Sequence, residues 1–302
     1  MTGAPGPVIA LVAGVHADRA VISWAAREAA RRSSPLMITA LPDGQALSEP
    51  MHNGSRALID VMSRRARLRR PGLEVLAVRG GASALQHLVT VTAGASLLVV
   101  ATNAADVEEP YLSPMTGRML AVQARCPVVT LSPTARTRID VEHGNVVLGW
   151  CREGSGRRAL DVAADEAFSR AARLTVVMVL PAADGPGGRV LDRTELETEL
   201  IAAVAAVERR CRGLVIDLLH PRGNVVAELC RAARQADILV IGSHRCERGW
   251  NERPGSVAGV VMTMSPSPTL LVVESSFQRP RRLAQQAKAR PDGGRDFPTD
   301  QL

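Results

Sequence analysis

The chain has 302 residues, a formal net charge of +7, 46% apolar residues and only 2% aromatic ones. That length suits two domains of ordinary size, with cores built from Val, Leu, Ile and Ala rather than rings. The positive charge is almost all arginine: the single lysine is Lys288, no Gly-Lys-Ser/Thr triplet exists, and a P-loop ATPase is excluded.

The opening MTGAPGPVIALVAGV carries no charged segment ahead of its short apolar run, so it does not read as a secretory signal. No stretch reaches the length of a membrane span. The five cysteines (Cys126, Cys151, Cys211, Cys230, Cys246) are odd in number and form no CxxC, which points to a reduced, cytoplasmic compartment.

In chain order, RAVISWAAREA (19–29) places Ile22, Ala25, Ala26 and Ala29 on one helical face. SRRARLRR (63–70) holds five arginines spread around a helix; without aromatic platforms it reads as a solvated surface, not a nucleic-acid interface. GASLLVVATNA (94–104) and RCPVVTL (125–131) each contain a short buried strand. Residues 133–144 form a linker, and NVVLGW (145–150) begins a new strand. The pattern then predicts a helix over 157–170, a strand over 173–180, a helix over 194–211 and a strand over 214–219. A helix over 224–235, a strand over 238–242, a helix from Ser256 and a strand over 269–273 complete the second half. From 276 the chain turns polar, basic and rich in Pro and Gly, and is expected to be a disordered tail.

The halves repeat. Ile22, Ala25, Ala26 and Ala29 return at an offset of 138 as Leu160, Ala163, Ala164 and Ala167, while GASLLVVATNA returns at an offset of 141 as QADILVIGSHR. The turn-rich loop PAADGPGGR (181–189) can absorb the three-residue difference. Alternating strands and helices with continuous apolar strands indicate parallel sheets covered on both faces. The expected fold is therefore α/β, two tandem doubly wound five-stranded domains of Rossmann-like form. Their boundaries are read as 1–132 and 145–275.

The last strand-loop-helix of the second half raises the functional question. ILVIG ends at Gly242, and Gly255-Ser256 opens an apolar helix. Glycines let a backbone approach phosphate, and a Ser-capped helix N-terminus favours an anion. Together with the repeat and the CPVV and ILVIGS stretches, these residues resemble a tandem universal stress protein over about 8–131 and 145–274. The resemblance implies a non-catalytic stress-response regulator that pairs through its last strands. It also implies an adenine nucleotide, ATP with Mg, bound in a Gly-x2-Gly-x9-Gly-Ser/Thr loop.

Here Gly242, Gly255 and Ser256 keep that spacing, whereas Arg245 replaces the second glycine. Gly149 keeps the first-strand glycine, and Cys151 stands where the family carries a nucleoside-binding Asp. The nucleotide-binding set is thus Gly149, Gly242, Gly255 and Ser256. In the first half the matching positions are Leu11, Ala13, Ala101, Ala104, Pro114 and Met115, so that half is expected to be degenerate. The alternative is a ligand-free structural or protein-interaction module. Arg245 either fills the phosphate space or adds a charge-assisted contact.

No catalytic or metal-ligating residue is predicted. His244 and Cys246 have no companion pair at ligand spacing, and no Gly-x-Ser-x-Gly elbow occurs. A Cys151–Cys246 redox pair is conceivable across the same crevice. The expected partners are an adenine nucleotide, a regulatory protein and a second copy of the chain, with neither membrane nor nucleic acid.

Overall fold

A computed structural model describes residues 6–12, 18–40, 54–78, 84–102, 123–151, 155–180, 193–243 and 256–273. In the first half these form β1 (Val8–Val12), α1 (Asp18–Arg31), β2 (Leu36–Ala40), α2 (Gly54–Arg69), β3 (Val75–Val78), α3 (Ala84–Thr92), β4 (Leu97–Ala101) and β5 (Val128–Leu131). A single turn, α4 (Pro133–Arg136), leads into the second half. Ser132 caps it, its Oγ accepting the Ala135 N–H at 3.0 Å. There follow β6 (Asn145–Gly149), α5 (Gly156–Ser169), β7 (Arg173–Val177), α6 (Arg193–Arg210) and β8 (Ile216–Leu219). The half ends with α7 (Val225–Ala233), β9 (Ile238–Ser243), α8 (Ser256–Met264) and β10 (Thr269–Val273).

The ten described strands join one sheet in the order β3-β2-β1-β4-β5-β10-β9-β6-β7-β8. Each half has the same internal order and is parallel throughout; only the central β5–β10 pair is antiparallel. Strand pleating divides the core between two faces. Val8, Ala10 and Val12 of β1 pack with α1 and α2, whereas Ile9 and Leu11 face Leu88 of α3. Both faces are apolar because both are covered, which explains the continuous apolar runs. The predicted helical faces are in place: Ile22, Ala25, Ala26 and Ala29 and their counterparts Leu160, Ala163, Ala164 and Ala167 are all buried.

The registers locate the three-residue insertion. Val8 pairs with Leu36 as Val146 pairs with Leu174, both members of the second pair at the offset of 138. Leu36 then pairs with Val75, but Leu174 pairs with Ile216, which stands at the offset of 141 from Val75. The extra residues therefore enter between β7 and β8, the interval containing the loop expected to absorb them. At the seam Val129 pairs with Leu270, its own counterpart at the offset of 141, so a pseudo-twofold axis runs through that pair.

On one face of the sheet the seam is closed by charge. Glu28 on α1 and Glu166 on α5 are counterparts, and both are buried. Arg170 contacts Glu28 at 2.9 Å and Glu166 at 3.2 Å. Arg32 contacts Glu28 at 2.5 Å and also Glu166; Arg31 contacts Glu166 at 2.9 Å and also Glu28. Burial alone would raise the Glu28 carboxyl, but Arg170, Arg32 and Arg31 outweigh it and lower its pKa from 4.5 to about 2. Burial would likewise lower the Arg32 pKa, and Glu166 and Glu28 reverse that and raise it.

The arginines of 63–70 divide: Arg64, Arg67, Arg69 and Arg70 are exposed, and Arg67 donates to the Val75 carbonyl at 2.9 Å. The tail from 276 lies outside the described residues.

Candidate functional site

Parallel pairing of β6 with β9, from Val146↔Ile238 to Gly149↔Ile241, brings Gly149 and Gly242 to the same carboxyl end of neighbouring strands. Gly242 also pairs with Val272 of β10. The chain leaves β6 for β7 on one side, while β9 lies on the other. Such a switch point is where open parallel sheets offer a crevice. Ser256 is the first residue of α8, which follows β9. Gly255 and Arg245, with His244 and Cys246, lie outside the described residues.

The local packing assigns both described glycines a steric role. A Cβ on Gly149 would meet the Leu229 methyls at 3.0 and 3.2 Å, so α7 packs directly on that backbone. A Cβ on Gly242 would sit 2.4 Å from Ser155 Oγ. Ser155 is buried immediately before α5, at the end of the loop that leaves β6. Gly156 stands close to Cys151: a Cβ on it would lie 1.7 Å from the Cys151 carbonyl oxygen. Ser155, the residue before α5, therefore lies against the carboxyl end of β9. Sequence reading missed Ser155 and Gly156; their only signal was the Gly-Ser-Gly run at 154–156. Cys151, where a carboxylate was sought, is an exposed free thiol.

In the first half Leu11 and Ala101 are buried at the corresponding strand ends, β1 and β4, which pair as β6 and β9 do. Ala13, Ala104, Pro114 and Met115 lie outside the described residues.

Cys211 is buried and Cys126 and Cys230 are partly buried. Burial raises the Cys211 and Cys230 thiols above the ordinary range, with Arg210 and Arg234 respectively pulling the other way. Among the described residues no group of three or more His, Cys, Asp or Glu is placed to hold a metal. No described helix is long and apolar enough to cross a membrane.

Two cavities are lined by described residues other than Gly149 and Gly242. One, of about 360 Å³, lies at the amino ends of β6, β9 and β10; the other, of about 1190 Å³, lies beneath α7 against β6 and β7.

The model of the Universal stress protein family matches residues 145–273. No curated protein matches the chain. Among solved structures, a universal stress protein from Archaeoglobus fulgidus DSM 4304 is similar with 14% identity and a TM-score of 0.61, covering 90% of this chain and 99% of its own. A candidate universal stress protein from Pseudomonas aeruginosa UCBPP-PA14 has 19% identity and a TM-score of 0.61, covering 89% of this chain and 94% of its own. These likenesses show the fold along most of the chain, and the second half carries one universal stress protein domain, over residues 145–273.

Proposed function

We propose that the protein is a non-catalytic, cytoplasmic stress-response regulator built as a tandem pair of universal stress protein domains, residues 1–132 and 145–275. It binds one adenine nucleotide, ATP with Mg, in the second half. The observation that carries this reading is the placement of Gly149 and Gly242 side by side at the carboxyl ends of β6 and β9, with α8 starting at Ser256. The residues fit the phosphate side of a nucleotide. Glycine backbone at a strand end admits close approach, and the first turn of α8 offers unpaired N–H groups and the positive end of a helix dipole. Gly255 and the Ser256 hydroxyl complete the set by sequence. The nucleoside side fits less well, because Cys151 supplies no carboxylate acceptor. Regulation follows if the nucleotide alters the surface presented to a protein partner or to a second copy of the chain.

A second reading, a ligand-free interaction module, is favoured by Ser155. It lies against Gly242, and both glycines have packing neighbours that account for them without a ligand. Equilibrium dialysis against labelled ATP, with and without Mg, separates the two. One mole bound per chain, lost on Ser256→Pro, supports the first; no retention under either condition supports the second. Absence of phosphate release over the same interval checks the non-catalytic assignment.

A further inference from the structure

The cavity of about 360 Å³ lies at the opposite end of the second half's strands from Gly149 and Gly242. It is a product of the tandem arrangement. One wall comes from α1 of the first half, another from Arg170 after α5 and from the segments entering β9 and β10, and the third from residues 138–144 joining the halves.

Four arginines line it: Arg27, Arg31, Arg138 and Arg170. Two carboxylates do as well. Asp237 is already engaged, accepting the backbone N–H groups of His143 at 2.5 Å and Asn145 at 3.2 Å, and Glu142 is exposed. Asp140 stands 3.9 Å from Arg27 but is 78% exposed. Glu28 and Glu166 are shared among Arg31, Arg32 and Arg170.

Two buried polar atoms of this wall, Ser267 Oγ and Arg170 Nε, have no hydrogen-bond partner among the described residues. Ser267 is only 3% exposed. Its backbone is held, since its N–H donates to Ser265 Oγ at 3.3 Å and its carbonyl accepts from that hydroxyl at 2.8 Å, yet its own hydroxyl is unused. An orphaned buried donor is costly, and native folds rarely keep one without a partner. Arg170 Nε can only donate, so the missing partner is an acceptor. Amid four guanidiniums the favoured acceptor is an anion with several oxygens.

We propose that this seam cavity binds a phosphate group, as inorganic phosphate or a small phosphate monoester. Arg27, Arg138 and Arg170 hold the oxygens, with Ser267 Oγ donating a further bond. The apolar lining of Ile139, Val141, Pro266 and Pro268 accommodates the carbon skeleton of an ester. The ligand bridges both halves and their connection, so it stabilises their union by mass action. The proposal does not depend on nucleotide binding at the carboxyl ends of the strands.

The test is calorimetric titration of the full chain, at fixed ionic strength, with inorganic phosphate, glycerol 3-phosphate and succinate, accompanied by thermal melts. Saturable binding of one phosphate probe per chain is expected, with a raised melting temperature and no response to succinate. Arg138→Gln should weaken binding at least tenfold and Ser267→Ala several-fold, both with unchanged circular dichroism, while the exposed Arg64→Gln has no effect. Tighter binding of glycerol 3-phosphate identifies an ester as the ligand; equal or tighter binding of inorganic phosphate identifies the free ion. Ser256→Pro should leave the phosphate response intact. No saturable binding of either phosphate, equal binding of succinate, binding unchanged in both seam variants, or loss on Ser256→Pro would overturn the proposal.

Discussion

Glu28 and Glu166, counterparts in the two halves, face one another across the seam, and Arg31, Arg32 and Arg170 each contact both carboxylates. Arg32 and Arg170 are themselves counterparts, so the contacts are reciprocal, as in a twofold interface between identical subunits. A buried ionic cluster is weak evidence of net stability over an apolar one, but removing a single member leaves charge uncompensated. Glu28→Gln is therefore expected to destabilise the fold by about 3–5 kcal/mol, and Glu166→Gln by a similar amount. Urea unfolding followed by circular dichroism measures both. A cost below about 1 kcal/mol for each would show that water reaches the cluster.

Acid should act on the same cluster. The folded Glu28 pKa of about 2 lies below the ordinary 4.5, so its stabilising contribution is complete above about 4.5 and is lost as pH falls toward 2. The stability of wild type should fall more steeply through that window than that of Glu28→Gln. Parallel pH profiles for the two proteins would contradict this assignment.

Gly242 and Ser155 should be energetically coupled. A methyl at Gly242 meets Ser155 Oγ, so Gly242→Ala is expected to cost about 1–3 kcal/mol through overpacking. Ser155→Ala removes the opposing oxygen, and the double variant should recover most of that loss in a double-mutant cycle. Additive costs would place Ser155 elsewhere. Gly156→Ala has no such rescue, because its methyl meets the backbone carbonyl of Cys151. It should destabilise more than Gly242→Ala.

His87 is buried on α3, its Nε2 2.7 Å from Thr39 Oγ1, and burial lowers its pKa from 6.5. The neutral ring is the folded form. Its contribution is present above 6.5 and is lost as pH falls through the lowered folded value. In a proton NMR titration the His87 resonances should move at lower pH than those of an exposed histidine. A midpoint at or above 6.5 would mean that the ring is solvated.

Much of the architecture was legible because packing repeats leave a period. The apolar faces of α1 and α5 and the strands at offsets of 138 and 141 marked out both halves, while pairing through the last strands came only from the family resemblance. The ionic cluster was not read. Glu28 falls on the buried stripe of Val21 and Ala25, but a charged residue there resembles the edge of a solvated face until the second half of the chain covers it. Its signal was that Glu28 and Arg32 recur as Glu166 and Arg170 at the same offset as the apolar residues. The close approaches of Ser155 to Gly242 and of Gly156 to Cys151 are tertiary contacts with no sequence period at all. Gly149 and Gly242 were therefore read as phosphate-loop residues before their packing roles could be seen. The seam cavity was equally invisible, since Arg138 and Ser267 lie far apart along the chain and their approach leaves no period in the sequence.

On the proposed reading the chain holds one nucleotide, in its second half. The most direct measurement is calorimetric titration of wild type and Arg245→Gly with ATP and with magnesium-ATP. Saturation near one nucleotide per chain is expected in wild type, abolished by Ser256→Pro and retained or strengthened by Arg245→Gly. Absence of binding in both proteins, or saturation at two per chain, would contradict it.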